Sequence, residues 1–187
     1  MAAKNSDSYS YEDRITSRLL DSSVHFLVGD IDEENVTDCI KWITYENLDA
    51  KDKTLTLYIN STGGSLYDAF ALIDIMNGSR HAVRTIAIGS AMSAAFLILA
   101  AGSPGERYVG RNAGLMCHQF SETTEGKFHD IKATMKENEM CNARMINVLK
   151  MATGLSPSVI KRKLLPESDV YLTPDEAISL GIADKIL

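Results

Sequence analysis

Two hydrophobic periods take turns along this chain. The apolar run at residues 24–28 predicts a strand, and from Asp32 a helical stripe follows at Val36, Cys39, Ile40 and Ile43, with Trp42 lying off it. Residues 53–60 alternate as a strand does. The turn Ser61-Thr-Gly-Gly64 comes next, and Leu66, Ala69, Phe70, Ile73 and Met76 mark a second amphipathic helix ending near Asn77-Gly78. The order then repeats, with a β-branched strand at 83–88 and an almost wholly apolar helix at 91–101. Strand, turn and buried helix in succession are the grammar of an α/β fold.

The second half is less regular. Residues 107–120 hold short β segments broken by glycine, and 128–151 make one helical run stopped at Gly154. At 1.5 Å per residue that helix reaches about 36 Å, longer than a small domain needs for itself. Ser156-Pro157 and Thr173-Pro174-Asp175-Glu176 are starts for two short helices, each an N-cap followed by proline, and the second is also a capping box. Between them 169–172 predicts a short strand. Gly181 ends the last helix, and 182–187 form a terminal strand.

Composition narrows the classes of function. The 187 residues suit one domain, expected over 17–187 behind a flexible polar arm at 1–16. That arm has no apolar segment, and the apolar stretch at 91–101 is well short of the ~20 residues a bilayer requires, so no membrane partner is expected. A net charge of −6 with dispersed Lys and Arg argues against nucleic acid. Cys39, Cys117 and Cys141 are odd in number and lack CxxC spacing, which reads as reduced, buried thiols in a cytoplasmic setting.

Ser93 stands where the β-branched strand gives way to the apolar helix. A strand-to-helix turn would hold its hydroxyl beside unpaired backbone N–H groups that favour developing negative charge, and the small neighbours Ser90, Ala91, Ala94 and Ala95 would let a substrate backbone approach. Most buried serines bond only to nearby backbone, so the position alone does not decide. Acyl transfer also needs a base, a group to orient it and donors for an oxyanion. His118, in a strand-like run, supplies the first candidate and Asp169, just before a strand, the second; each could equally be a structural residue. Gly63 and Gly64 could turn N–H groups toward an anion, or could simply make a tight turn.

The four signals fall in the order of a known family. Tyr58-Ile-Asn-Ser-Thr-Gly-Gly64, Gly89-Ser-Ala-Met-Ser93 and Met116-Cys-His-Gln119 resemble motifs of the Clp protease proteolytic subunits, as do Ser17-Arg-Leu-Leu20, Asp169-Val-Tyr-Leu-Thr173, Glu176-Ala177 and Gly181-Ile-Ala-Asp184. The likeness spans residues 17–187. It implies a spiral of ββα units with a protruding handle helix at 128–151, Ser93 as nucleophile, His118 as general base and acid, and Asp169 as the orienting carboxylate. Backbone N–H groups of Gly64 and Ala94 would form the oxyanion hole. It further implies no metal or cofactor, heptameric rings that stack in pairs, peptide and unfolded protein substrates, and an ATP-driven AAA+ unfoldase as partner.

Departures from the family pattern bear on specificity and assembly. Thr62 replaces a proline and Met92 an alanine. Phe120 and Ser121-Glu-Thr-Thr124 stand where the family has proline and a Gly-Gly along the substrate strand, which puts substrate preference in question. The segment from Ile160 to Asp169 is two residues longer than usual, with Lys163 and Ser168 in place of an acid and an arginine that join rings, so other pairs or a weaker contact would stand there. Thr56 replaces an aromatic of the unfoldase-docking face, while Tyr58 and Tyr108 remain. Two other readings follow: a non-catalytic ring subunit that co-assembles with an active paralogue, and an acyl-CoA-processing relative of the crotonase fold.

Overall fold

The computed structural model describes residues 10–121 and 125–187, so residues 1–9 of the expected arm and 122–124 of the departing segment lie outside the described residues. Helix α1 (Tyr11–Asp21) opens on a capping box in which Ser10 Oγ accepts from the Asp13 N–H and the Asp13 carboxylate accepts from the Ser10 N–H. The arm expected over 1–16 is therefore helical from Tyr11. Its reciprocal cap satisfies orphan donors locally, and the helix packs against the strand that follows.

Strands β1 (Val24–Ile31), β2 (Thr54–Gly64), β3 (Ala82–Met92) and β4 (Arg107–Val109) lie side by side in that order. All of these neighbours are parallel, and β7 (Lys185–Ile186) adds parallel to β4. Beyond β4 the continuation of β3 pairs instead with β5 (Gly114–Cys117), and β6 (Val170–Leu172) runs antiparallel to β5. Parallel strands need crossovers, and helices α2 (Glu33–Glu46), α3 (Leu66–Asn77) and α4 (Ala94–Ala100) supply them. The mixed α/β class read from the periodicity is the observed one.

Several boundaries differ from the sequence expectation for physical reasons. Residues 61–64 are extended rather than turned, because after a shift in register β2 goes on pairing with β1 through Asp30 with Gly63 and Ile31 with Gly64. Ala91 and Met92 belong to β3 rather than to a helix, since they pair with Leu115 and Met116. Helix α4 thus starts only at Ala94, and every one of its residues is buried, which explains its lack of a polar face. Trp42 lies off the predicted stripe yet is 5% exposed, its ring stacked on His25 of β1 with centroids 5.2 Å apart.

Helix α5 (Phe128–Thr153) has 26 residues, about 39 Å, and ends on Gly154 in the left-handed conformation. Its fully buried residues, Cys141, Met145 and Leu149, all fall in the second half, against α4 and α6 (Pro157–Lys163). The first half carries exposed Phe128 and Met135. The predicted starts of α6 and α7 (Pro174–Ser179) hold, with proline in the first turn of each and a Thr173–Glu176 capping box on the second.

One side chain ties the far ends together. Arg107 on β4, 6% exposed, donates from Nε and Nη2 to the two carboxylate oxygens of Asp184 at 2.9 and 2.6 Å. Its Nη1 donates to Gly181 O at 2.7 Å and Ala152 O at 2.9 Å, the carbonyls ending α7 and α5. That hydrogen bonding holds the Asp184 carboxyl below the usual carboxylate range against the opposing effect of its burial.

Candidate active site

Parallel register brings the key side chains out at one end of the sheet. Met92 of β3 lies opposite Met116 of β5, so the chain leaves the two strands together, at Ser93 on one and His118 on the other. The Ser93 N–H then donates to Met116 O at 2.9 Å. Ser93 Oγ and His118 Nε2 are 2.7 Å apart. With the imidazole proton on Nδ1, Nε2 accepts from the hydroxyl, which is the geometry needed to withdraw its proton.

The serine backbone is held in an uncommon conformation. Ser93 has φ 53° and ψ −120°, a region non-glycine residues enter at a cost of about 1–3 kcal/mol. The same bend ends β3 and begins α4, so the hydroxyl stands at the junction of the two. Ala94 is the first residue of α4, and its N–H has no acceptor within the helix.

Two glycines close the other side. A Cβ on Gly63 would lie 2.7 Å from Ser93 Cβ and 3.3 Å from the Ala94 nitrogen, so only a bare backbone fits there. Gly64, at φ 150°, would drive a side chain into the Ile31 carbonyl of β1. Ser61 Oγ, buried, accepts from the Gly63 N–H at 3.1 Å, and Asn60 Oδ1 accepts from the Ser90 N–H at 3.1 Å. Neither Asn60 nor Ser61 was assigned a role from the sequence, although Asn and Ser beside a glycine pair are the residue types that fix local backbone.

Asp169 is placed differently. Cys117 pairs with Val170 in the antiparallel β5–β6 ladder, so the next step outward sets Asp169 across from His118. The carboxylate is exposed, and among the described residues it makes no hydrogen bond to the imidazole. The structure therefore brings Ser93 and His118 into contact, places Gly63, Gly64 and Ala94 around them, and leaves Asp169 opposite but unbonded.

Competing nucleophiles are weak here. Cys117 adjoins His118, but burial pushes its thiol up to about 12, so it stays protonated at neutral pH. Cys39 is pushed up to about 12 as well, first by burial and then by Asp38. No group of three or more His, Cys, Asp or Glu able to hold a metal ion occurs among the described residues.

A hydroxyl activated by imidazole beside free backbone donors is the equipment of hydrolases that pass an acyl group through serine. Comparison with known proteins narrows the class. The Clp protease family profile matches residues 7–187. The ATP-dependent Clp protease proteolytic subunit 1 of Corynebacterium diphtheriae is 34% identical over 172 residues, covering 91% of this chain and 81% of that protein. Subunit 3 of the same protease from Frankia casuarinae is 33% identical over 171 residues, covering 91% and 79%. The chain belongs to the Clp protease family.

Proposed function

We propose that the chain is the peptidase subunit of an assembled, energy-dependent protease. Ser93 is the nucleophile, His118 the general base and then acid, and Asp169 the carboxylate that orients the imidazole. In the first step Ser93 Oγ attacks a peptide carbonyl while its proton passes to His118 Nε2. The oxyanion is received by the N–H groups of Gly64 and Ala94, and His118 then protonates the leaving amine. Water activated by the same imidazole releases the acyl group and restores the hydroxyl. The observation that carries this reading is the 2.7 Å contact between Ser93 Oγ and His118 Nε2.

Family membership makes the chain a protease, hence a hydrolase. Family likeness supports oligomeric assembly with an ATPase, and within the proposal the assembly is a heptameric ring, stacked in pairs, fed with unfolded polypeptide by an AAA+ unfoldase. The exposed first half of α5 is the natural handle between rings. Among the described residues no helix is long and apolar enough to cross a membrane; a cytoplasmic location is part of the proposal.

The test is labelling with a fluorophosphonate. The adduct should map by peptide mass spectrometry to Ser93, be lost in His118→Ala, and appear on a particle whose native mass is a multiple of seven chains. A second reading, a ring subunit without activity that co-assembles with an active paralogue, draws on the exposed, unbonded Asp169. Rings that never react with the probe, yet mix with another subunit, would favour it.

Glycine at 63 should matter more for reaction than for folding. In Gly63→Ala the new methyl meets Ser93 Cβ at the 2.7 Å separation above, at a φ of 113°, so the nucleophile must move. A displacement of about 1 Å reduces turnover by about 100-fold. The expected result is labelling slowed by that factor, with the circular dichroism spectrum retained; unchanged labelling would show that Ser93 does not use this position.

A further inference from the structure

The segment leading to Asp169 is tied down at a single place beside the histidine. Gln119 follows His118, and its Nε2 donates to two successive backbone carbonyls, Leu165 O at 2.9 Å and Pro166 O at 3.0 Å. Upstream of those carbonyls the chain is anchored, because Leu164 and Leu165 are 0% and 4% exposed in the core. Downstream it is not. Glu167, Ser168 and Asp169 are exposed, carry no side-chain hydrogen bond among the described residues, and have no regular structure before β6 begins at Val170.

We infer that Gln119 is a positioning residue: its carboxamide pins the carbonyls of Leu165 and Pro166 and thereby sets the reach of Asp169 to the His118 imidazole. This inference rests on the reading of Asp169 as the carboxylate behind His118. The chemistry of the clamp is specific. A carboxamide nitrogen has two N–H donors, one for each carbonyl, and brings no charge to a site where a carboxylate must approach an imidazole. Gln119 lies one residue after His118 and two beyond the end of β5, and its acceptors lie three and four residues before Asp169. A short tether on each side of the clamp therefore links the two groups, so loosening it lets the carboxylate drift while Ser93 and His118 stay at the ends of β3 and β5.

The segment explains why a clamp is needed here. Residues 160–169 are the stretch read as two residues longer than in the family pattern, and extra backbone next to an acid increases the positions it can occupy. Buried Leu164 and Leu165 absorb part of the added length into the core. Gln119 limits the remainder.

The experiment uses the assembled full-length protein in five forms: unchanged, Gln119→Met, Gln119→Glu, Asp169→Asn and Gln119→Met with Asp169→Asn. Hydrolysis of a short fluorogenic peptide, resolved into kcat and KM, and the rate of fluorophosphonate labelling are measured. Met keeps the length of Gln without its donors, and Glu keeps the shape but can only accept when ionised, so the pair guards against a single variant that fails to fold. Gln119→Met is expected to lower kcat by about 10- to 100-fold, with KM changed by less than about twofold. In the Asp169→Asn background Gln119→Met should add no further loss.

A full additional loss in the double variant, or a Gln119→Met and Gln119→Glu pair that keeps kcat unchanged, would overturn the clamp while leaving the triad intact. Asp169→Asn that keeps kcat would instead overturn the role of Asp169, and the clamp with it.

Discussion

Ser93→Ala is expected to reduce peptide hydrolysis by ~10⁴-fold or more and to abolish fluorophosphonate labelling. The size of the effect follows from the covalent step. Without Oγ no acyl-enzyme forms, and His118 is left as a base that can act only on water, while the amide donors near Gly64 and Ala94 still lower the barrier somewhat. The residual activity of such variants comes from those donors and from binding. Alanine at φ 53° is no more strained than serine, so the particle should keep its mass and thermal midpoint. Retained labelling, or a loss of assembly that tracks the loss of activity, would contradict the assignment. The same substitution separates peptide-cleaving from non-catalytic readings, because a subunit without activity would be indifferent to it.

The largest effect on stability is expected at Arg107. Replacing it with Met removes one member of an ion pair whose side chains are 7% and 20% exposed and strips donors from the carbonyls of Ala152 and Gly181. Breaking such a pair from one side destabilises by about 3–5 kcal/mol, because the remaining charge and carbonyls stay partly buried without partners. Chemical denaturation should show it as a lower midpoint at nearly constant slope. The pH dependence carries the sign. Asp184 titrates below its unfolded value, so its contribution is present above about pH 4, the unfolded carboxylate range, and is lost as pH falls through the depressed folded value. The Met variant should lose that acid-side slope. An unfolding free energy within about 0.5 kcal/mol of the parent at neutral pH would mean that Arg107 does not bind the ends of α5, α7 and β7 together.

Periodicity revealed the order of elements because each crossover unit buries one face of a helix on a sheet, and that leaves a signature in adjacent residues. It misjudged the seams. Gly63 and Gly64 look like a turn, yet they pair with β1, since glycine serves there for close approach rather than reversal. Ala91 and Met92 look helical, but whether small apolar residues become strand or helix depends on β5, a partner more than twenty residues away. Trp42 escaped the helical stripe because its burial comes from a ring contact across to His25.

The site was legible in part. Ser93 and His118 were candidates from residue type and context, joined only by the family resemblance, and their contact required the parallel register of β3 and β5, which no local pattern encodes. Asp169 was a candidate as the residue before a short strand, and the ladder sets it across from His118, but nothing in the sequence marks its side chain as open. Gln119, Asn60 and Ser61 were visible only as letters within motifs. Their partners are main-chain atoms, and main-chain acceptors leave no trace in side-chain chemistry.

Because the chain has one tryptophan, emission excited beyond the tyrosine absorption comes from Trp42 of α2, stacked on His25 near the start of β1. That strand ends at Ile31, paired with Gly64, the glycine proposed to donate its amide to the oxyanion. An optical signal on inhibitor binding would therefore report a disturbance that reaches the ring contact between α2 and β1, and silence would show that this contact stays at rest.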